Sequence, residues 1–402
     1  MVQIKNESKQ EKINQLRNKQ ESEVLDFLNK EWTKKDNILQ LFSYLERISW
    51  FDYLPDLPLE LSMMQCIAIK DEILMCGGDG RNFCYSYHTT KREYRQICLY
   101  PWEIQLWGHT VVRCEGEDDK SKNPKVTLLS FGGSDRRRRH TFIMHYESVW
   151  STDSVSTTAH TNEWIEVQDK IIIGASNGHN LTGARACVGG KHNNLLFVTH
   201  CPRNINVINL QTYEYIQTIN STLPIHTYWL CYHGFVKLST TNFILISDVE
   251  TIGITYDECD RTFHFQILPN ITTSFSIFSN FAYLLLDNYI LVFGGKCASS
   301  TITDAIHVYN VRHKQWRQLA QILPKALVDC YAIASHDQDF IHIIGGDNHK
   351  LKCQNSHYAI RCYYLILTKE KIKMIIDYWI RIISFNRLGW IKEFVTCVAE
   401  YV

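Results

Sequence analysis

An all-β chain of six repeated four-stranded units is the fold class that the sequence predicts, and three observations lead there. Short β-branched and aromatic runs recur and end in paired glycines. A pair of bulky residues seven positions apart follows most of these runs, and a proline closes most units.

The runs come first. ILMCGG ends at Gly77 and Gly78, LLSFGG at Gly132 and Gly133, ILVFGG at Gly294 and Gly295, and IHIIGG at Gly345 and Gly346. Two runs of the same shape lie between the second and third, LLFVTHC (195–201) and FILISD (243–248). The six runs end at 78, 133, 200, 248, 295 and 346, so successive ends are 47 to 67 residues apart. That interval accommodates four short strands with their turns. Paired glycines suit a strand end where a side chain would obstruct a turn or a close backbone approach.

The paired residues complete each unit. Tyr87 and Tyr94, Tyr256 and Phe263, Tyr309 and Trp316, and Ile208 and Tyr215 all stand seven apart. On one unbroken strand such residues would face opposite ways, so a turn must separate them and let both enter the gap between neighbouring units. Pro101, Pro224, Pro269 and Pro324 follow.

Diglycine, an intervening Tyr, then Trp seven residues on resembles the kelch repeat. The resemblance spans about residues 47–367, with 281–324 the one full match. It implies one four-stranded propeller blade per unit. Thr199-His200 and Ser247-Asp248 replace the glycines in units three and four, while unit two keeps Tyr146 but delays Trp164 behind the insertion STDSVSTTAHTN. Unit six has no aromatic seven residues after Tyr358. The missing piece stands at the front, where Trp50 precedes Leu57-Pro58 by the interval that separates Trp316 from Leu323-Pro324. Residues 47–53 are therefore expected to be the outer strand of the last blade beside 357–367, closing the ring without a free edge. Trp50 and Trp316 are expected to be buried between blades. The predicted fold is a six-bladed kelch-type β-propeller over 47–368, with a helical extension at 1–46 and an amphipathic helical tail at 369–402.

Composition limits the function. The 402 residues carry 42 basic and 42 acidic side chains, which argues against recruitment by net charge to nucleic acid or acidic membrane. The first twenty residues have no apolar core, so no secretory signal is expected and the 14 cysteines read as reduced, cytoplasmic thiols. The narrow polar stripe of the tail, Lys373, Asp377, Arg381 and Ser384, leaves a broad apolar face for the propeller, another protein or a membrane surface, in that order of preference. No nucleophile, phosphate-loop, dinucleotide or EF-hand motif occurs. His349, Cys353 and His357, with His342 nearby, have the best metal-like spacing, but they fall on a loop and a strand, so neither a metal nor a cofactor is expected.

The turns after the diglycines carry the most distinctive charge: Arg81, then Arg136, Arg137, Arg138 and Arg139, then Arg203, Lys296, Lys350 and Lys352. Turns at the other end read acidic, at Glu115, Glu117, Asp118, Asp119, Asp71, Asp287, Asp337 and Asp339. The expectation is a non-catalytic interaction scaffold whose basic face binds an acidic protein segment. A ubiquitin-ligase substrate adaptor working through its helical ends, and an enzyme with a site at the channel mouth, are the alternatives. The oligomeric state has no sequence signal.

Overall fold

Residues of alternating polarity form strands, and in the computed structural model those strands make six four-stranded sheets. The structure describes residues 50–114, 126–133, 139–151, 161–167, 173–174, 180–227, 229–270, 279–297, 300–362 and 365. The helices expected within 1–46 and 369–402 lie outside these residues. The chain divides into two compact units, Leu54–Tyr358 and the terminal stretches Met1–Tyr53 with Ala359–Val402.

Blade 1 comprises Gln65–Ile69, Glu72–Gly78, Arg81–His88 and Glu93–Leu99. Blade 2 comprises Thr110–Cys114, Val126–Gly132, His140–Tyr146 and Ile165–Glu166. Blades 3 and 4 begin at Asn180–Gly189 and Gly234–Lys237 and end at Tyr215–Ile216 and Thr262–Leu268. Blade 5 runs from Ala282–Leu286 to Gln315–Ile322. Blade 6 orders Tyr331–Ala334, Phe340–Ile344, His357–Arg361 and Asp52–Tyr53. The first strand of each blade touches the first strand of the next, and that of blade 6 touches that of blade 1, so the six form a closed cycle around a channel.

The outer strand expected at 47–53 is present as Asp52–Tyr53, next to His357–Arg361. Residues 47–49 are outside the described set. The chain continues along the same neighbour, with the amides of Leu54, Leu57 and Leu61 donating to the carbonyls of His357, Asn355 and Gln354.

The seven-residue pairs are direct cross-strand partners between third and fourth strands. Tyr87 opposes Tyr94, Tyr256 opposes Phe263, Tyr309 opposes Trp316 and Ile208 opposes Tyr215. The aromatic pairs have ring centroids 4.8–4.9 Å apart. A tight hairpin puts the two residues on one face, as expected. Trp164 is different: it stacks on Tyr100 at 4.6 Å, across the seam between blades 1 and 2, and is not opposite Tyr146. The insertion before it shifts the register. Trp50 and Trp316 are half-buried rather than buried. Trp316 still reaches the neighbouring blade, since its indole Nε1 donates to the carbonyl of Pro269 at 3.1 Å.

The diglycines are needed where backbones meet. A Cβ on Gly294 would stand 2.3 Å from the carbonyl oxygen of Leu327, and one on Gly345 would stand 2.3 Å from that of Leu61. Both oxygens belong to the connection entering the next blade. In blade 3, Thr199 takes the first glycine position and its hydroxyl bonds His233 of blade 4 at 2.6 Å. A side-chain bond there replaces close backbone packing.

Candidate functional site

In an antiparallel blade the turn between second and third strands shares a face with the connection to the next blade. Backbone bonds tie the two together. The amide of Gly80 donates to the carbonyl of Leu106, that of Leu230 to Pro202, that of Gly295 to Leu327 and that of Gly346 to Leu61. The face is therefore a braced surface of turns and connections.

At its centre six left-handed residues ring the channel. Met63, Gly108, Gly183, Tyr232, Asn280 and Asp329 have φ between 51° and 68°, and each stands two residues before the first regularly paired position of a different blade. The amide of Gly183 donates to Gly108, Tyr232 to Gly183, Asn280 to Tyr232, Asp329 to Asn280 and Met63 to Asp329. A left-handed residue turns its amide and carbonyl toward its two neighbours instead of into its own sheet. The sequence repeat does not register this ring, because only glycine, asparagine and aspartate hint at left-handed backbone and Met63 and Tyr232 do not.

Gln65, Arg185, Asn280, Asp329 and Tyr331 line the channel mouth. Arg185 donates from Nε to the carbonyl of His233 at 3.1 Å. Asn280 donates from Nδ2 to Asp329 Oδ1 at 2.7 Å. Burial outweighs that bond, and with the nearby charges of Asp347 and Asp79 the Asp329 carboxyl is pushed up to about 6.

Of the basic residues singled out in the sequence, Arg81, Arg203, Lys350 and Lys352 are exposed on the turn face. Arg203 folds back, its Nη1 donating to the carbonyl of Ile225 at 2.9 Å. Lys296 is half-buried and pairs through its backbone with Ser279 and Ile302. Arg139 is half-buried near Tyr215, and Arg136, Arg137 and Arg138 lie outside the described residues. The connections bring acids to this face too, at Glu60 and Glu103. Glu250 is hydrogen-bonded to His226, accepting from its backbone amide at 2.8 Å and meeting its ring Nδ1. The opposite turns are mixed as well, because Lys91, Arg92, Arg312 and Lys314 stand exposed with Asp71, Asp287, Asp337 and Asp339. Glu115, Glu117, Asp118 and Asp119 lie outside the described residues.

The connections also carry aromatic groups that charge-reading passed over. Trp102 is 83% exposed, Trp229 63% and Trp107 39%, and Leu351 beside Lys350 and Lys352 is 67% exposed. Their signal was visible as tryptophans outside the repeat positions.

The histidines with metal-like spacing separate. His349 is exposed and Cys353 bonds Ser62 at 3.5 Å. His342 and His357 meet at the seam of blades 6 and 1. The order of donors is fixed by Tyr94, whose hydroxyl donates to the carbonyl of Pro55 at 2.9 Å. His357 Nδ1 then donates to that hydroxyl at 2.6 Å, and His342 Nδ1 donates to His357 Nε2 at 2.9 Å. Among the described residues no three His, Cys, Asp or Glu side chains converge as a metal site.

Comparison with known proteins agrees on the fold. A kelch-motif model matches residues 278–321, the unit that carries the full repeat. No curated protein matches the chain. Among solved structures, YjhT superposes with a TM-score of 0.55 at 11% identity, covering 76% of this chain and 95% of that one. At that identity the likeness speaks to fold alone. The chain is thus a six-bladed β-propeller that carries a kelch motif and resembles YjhT in architecture.

Proposed function

We propose that this chain is a non-catalytic protein-interaction scaffold, and that its partner docks on the face of turns and connections around the channel mouth. The observation that carries the reading is the coincidence there of exposed tryptophans, Trp102 and Trp229, with the exposed cations Arg81, Lys350 and Lys352. Tryptophan and arginine are enriched among the residues that dominate binding energy at protein interfaces. The braced turns favour binding with little loss of conformational freedom. Arg81 of this face, together with the run Arg136 to Arg139 that follows Gly133 in the sequence, would hold carboxylates of an acidic segment through paired hydrogen bonds.

The test is affinity capture with the full chain, comparing wild type with Trp102→Ala/Trp229→Ala and with Arg136–Arg139 changed to Ser. Both variants should lose the same bound proteins while melting like wild type, and capture by the wild type should weaken with salt. Undiminished capture by both variants would overturn the assignment of this face.

A further inference from the structure

Blade 1 carries a thiol on each of three successive strands at one level of the sheet. Cys76 on the second strand is the direct partner of Cys84 on the third, and Cys84 is the direct partner of Cys98 on the fourth. Opposed Cα atoms on antiparallel strands stand about 4.5–5.5 Å apart. A disulfide spans roughly 4.4–6.8 Å between Cα atoms, so the Cα spacing of either pair suits one, and the register shift that begins directly after Cys84 lies beside the outer pair.

The surroundings distinguish the three. Cys84 is fully buried and is the hub: it stands between Cys76 and Cys98 in the register, and its sulfur accepts the indole N–H of Trp164 at 3.3 Å. The Cys98 thiol donates instead to Met144 Sδ of blade 2, at 3.8 Å. Cys76 is also fully buried. Cys98 is the member with partial exposure, and it lies on the outermost strand of the blade. All three are reduced. A row across strands is a line rather than a cage, which suits pairwise bond formation.

We propose that Cys84 and Cys98 form a reversible disulfide, with Cys98 meeting a low-molecular-weight disulfide and Cys84 resolving the adduct. In the first step Cys98 sulfur attacks one sulfur of the small disulfide, breaking its S–S bond and releasing one thiol. In the second, Cys84 sulfur attacks Cys98 sulfur and expels the other thiol. Each cysteine's proton leaves with the thiolate that its attack displaces. Two cysteine thiols are oxidised and one small disulfide is reduced to two thiols. A bulky reagent is kept from Cys84 by burial, so the outer cysteine must be modified first.

The full chain would be treated with oxidised glutathione at neutral pH, digested without reduction and mapped by mass spectrometry. The expected product is a linked peptide pair containing Cys84 and Cys98, lighter than the reduced pair by two hydrogens and restored by dithiothreitol. Cys84→Ser should stop at a stable glutathione adduct on Cys98, and Cys98→Ser should give neither product. A wild-type map with Cys98 unmodified, with glutathione left on Cys98 and no link to Cys84, or with a link from Cys76 to Cys84 would overturn the proposal. The wild-type map decides by itself if Cys84→Ser fails to fold.

Discussion

Acid should loosen this propeller well before its exposed carboxylates protonate, because several histidines are buried without charge. Burial pushes His109 down to about 3, and His307 and His342 to about 4. His233 and His357 are driven in the same direction by burial and by neighbouring cations or imidazole. Free histidine titrates near about 6.5, so the unfolded chain takes up protons between roughly pH 6.5 and 4 that the folded chain refuses. Stability is therefore lost as pH falls through that window. From pH 7 to pH 5, each histidine held near 4 or below costs about 1.8 kcal/mol, or roughly 5 kcal/mol for His109, His307 and His342 together. Asp329 works the other way: its carboxyl, pushed up to about 6, binds a proton in the folded state and returns about 1.3 kcal/mol over the same interval. The net loss is about 4 kcal/mol, comparable with the whole stability of many domains. Thermal unfolding followed by circular dichroism at pH 7, 6 and 5 should show a midpoint lower by roughly 8 °C at pH 5. His342→Gln, which keeps a donor for His357 and takes up no proton, should remove nearly half of the drop. Equal midpoints at pH 7 and 5 would refute the reasoning.

Three further outcomes are expected. Gly294→Ala forces a Cβ to 2.3 Å from the Leu327 carbonyl at φ +60°, whereas Gly80→Ala has the same φ in open space. Denaturant melts should therefore show a loss of about 3 kcal/mol or more for the first and about 1–2 kcal/mol for the second. Trp316→Ala, half-buried and bonded to Pro269, should cost roughly 2 kcal/mol by the same measurement, less than a fully buried tryptophan. Deleting residues 1–53 removes the strand Asp52–Tyr53 and should lower the melting temperature, while deleting 1–40 should leave the propeller's transition in place.

The sheets were legible because each blade writes its own hydrogen-bonding geometry into the chain. Gly294 and Gly345 mark backbone contacts that tolerate no side chain, and Tyr309 with Trp316 marks a hairpin by bringing two rings to one face. Even the substituted unit was readable, since Thr199 keeps its run although it joins its neighbour through a hydroxyl. Trp316 is less buried than the repeat implies, because the repeat says that two rings meet and not how deep the outer strand lies. The binding face was half legible. Arg81 and Lys350 follow glycines and could be placed, but Trp102 and Trp229 sit in connections that share no repeat. The channel ring was illegible at Met63 and Tyr232, where closure overrides residue preference.

That ring has a consequence for how such a chain can change. Each link joins the amide of one blade to the carbonyl of another, so the girdle is held by atoms that every residue except proline possesses. Side chains of very different kinds therefore serve at Met63, Tyr232, Asn280 and Asp329, whereas a Cβ on Gly108 or Gly183 would stand 2.7–2.8 Å from a neighbouring backbone nitrogen. Blades can drift in sequence, lose their glycines or lengthen their turns, as blades 2 to 4 have done, while their inner ends stay stitched in order. Proline is the exception. At Gly183, Tyr232, Asn280, Asp329 or Met63 it would remove the donor and could not adopt the left-handed backbone. The hub thus separates two demands on one chain: a fixed order of parts at the axis, and freedom to vary in the loops around it.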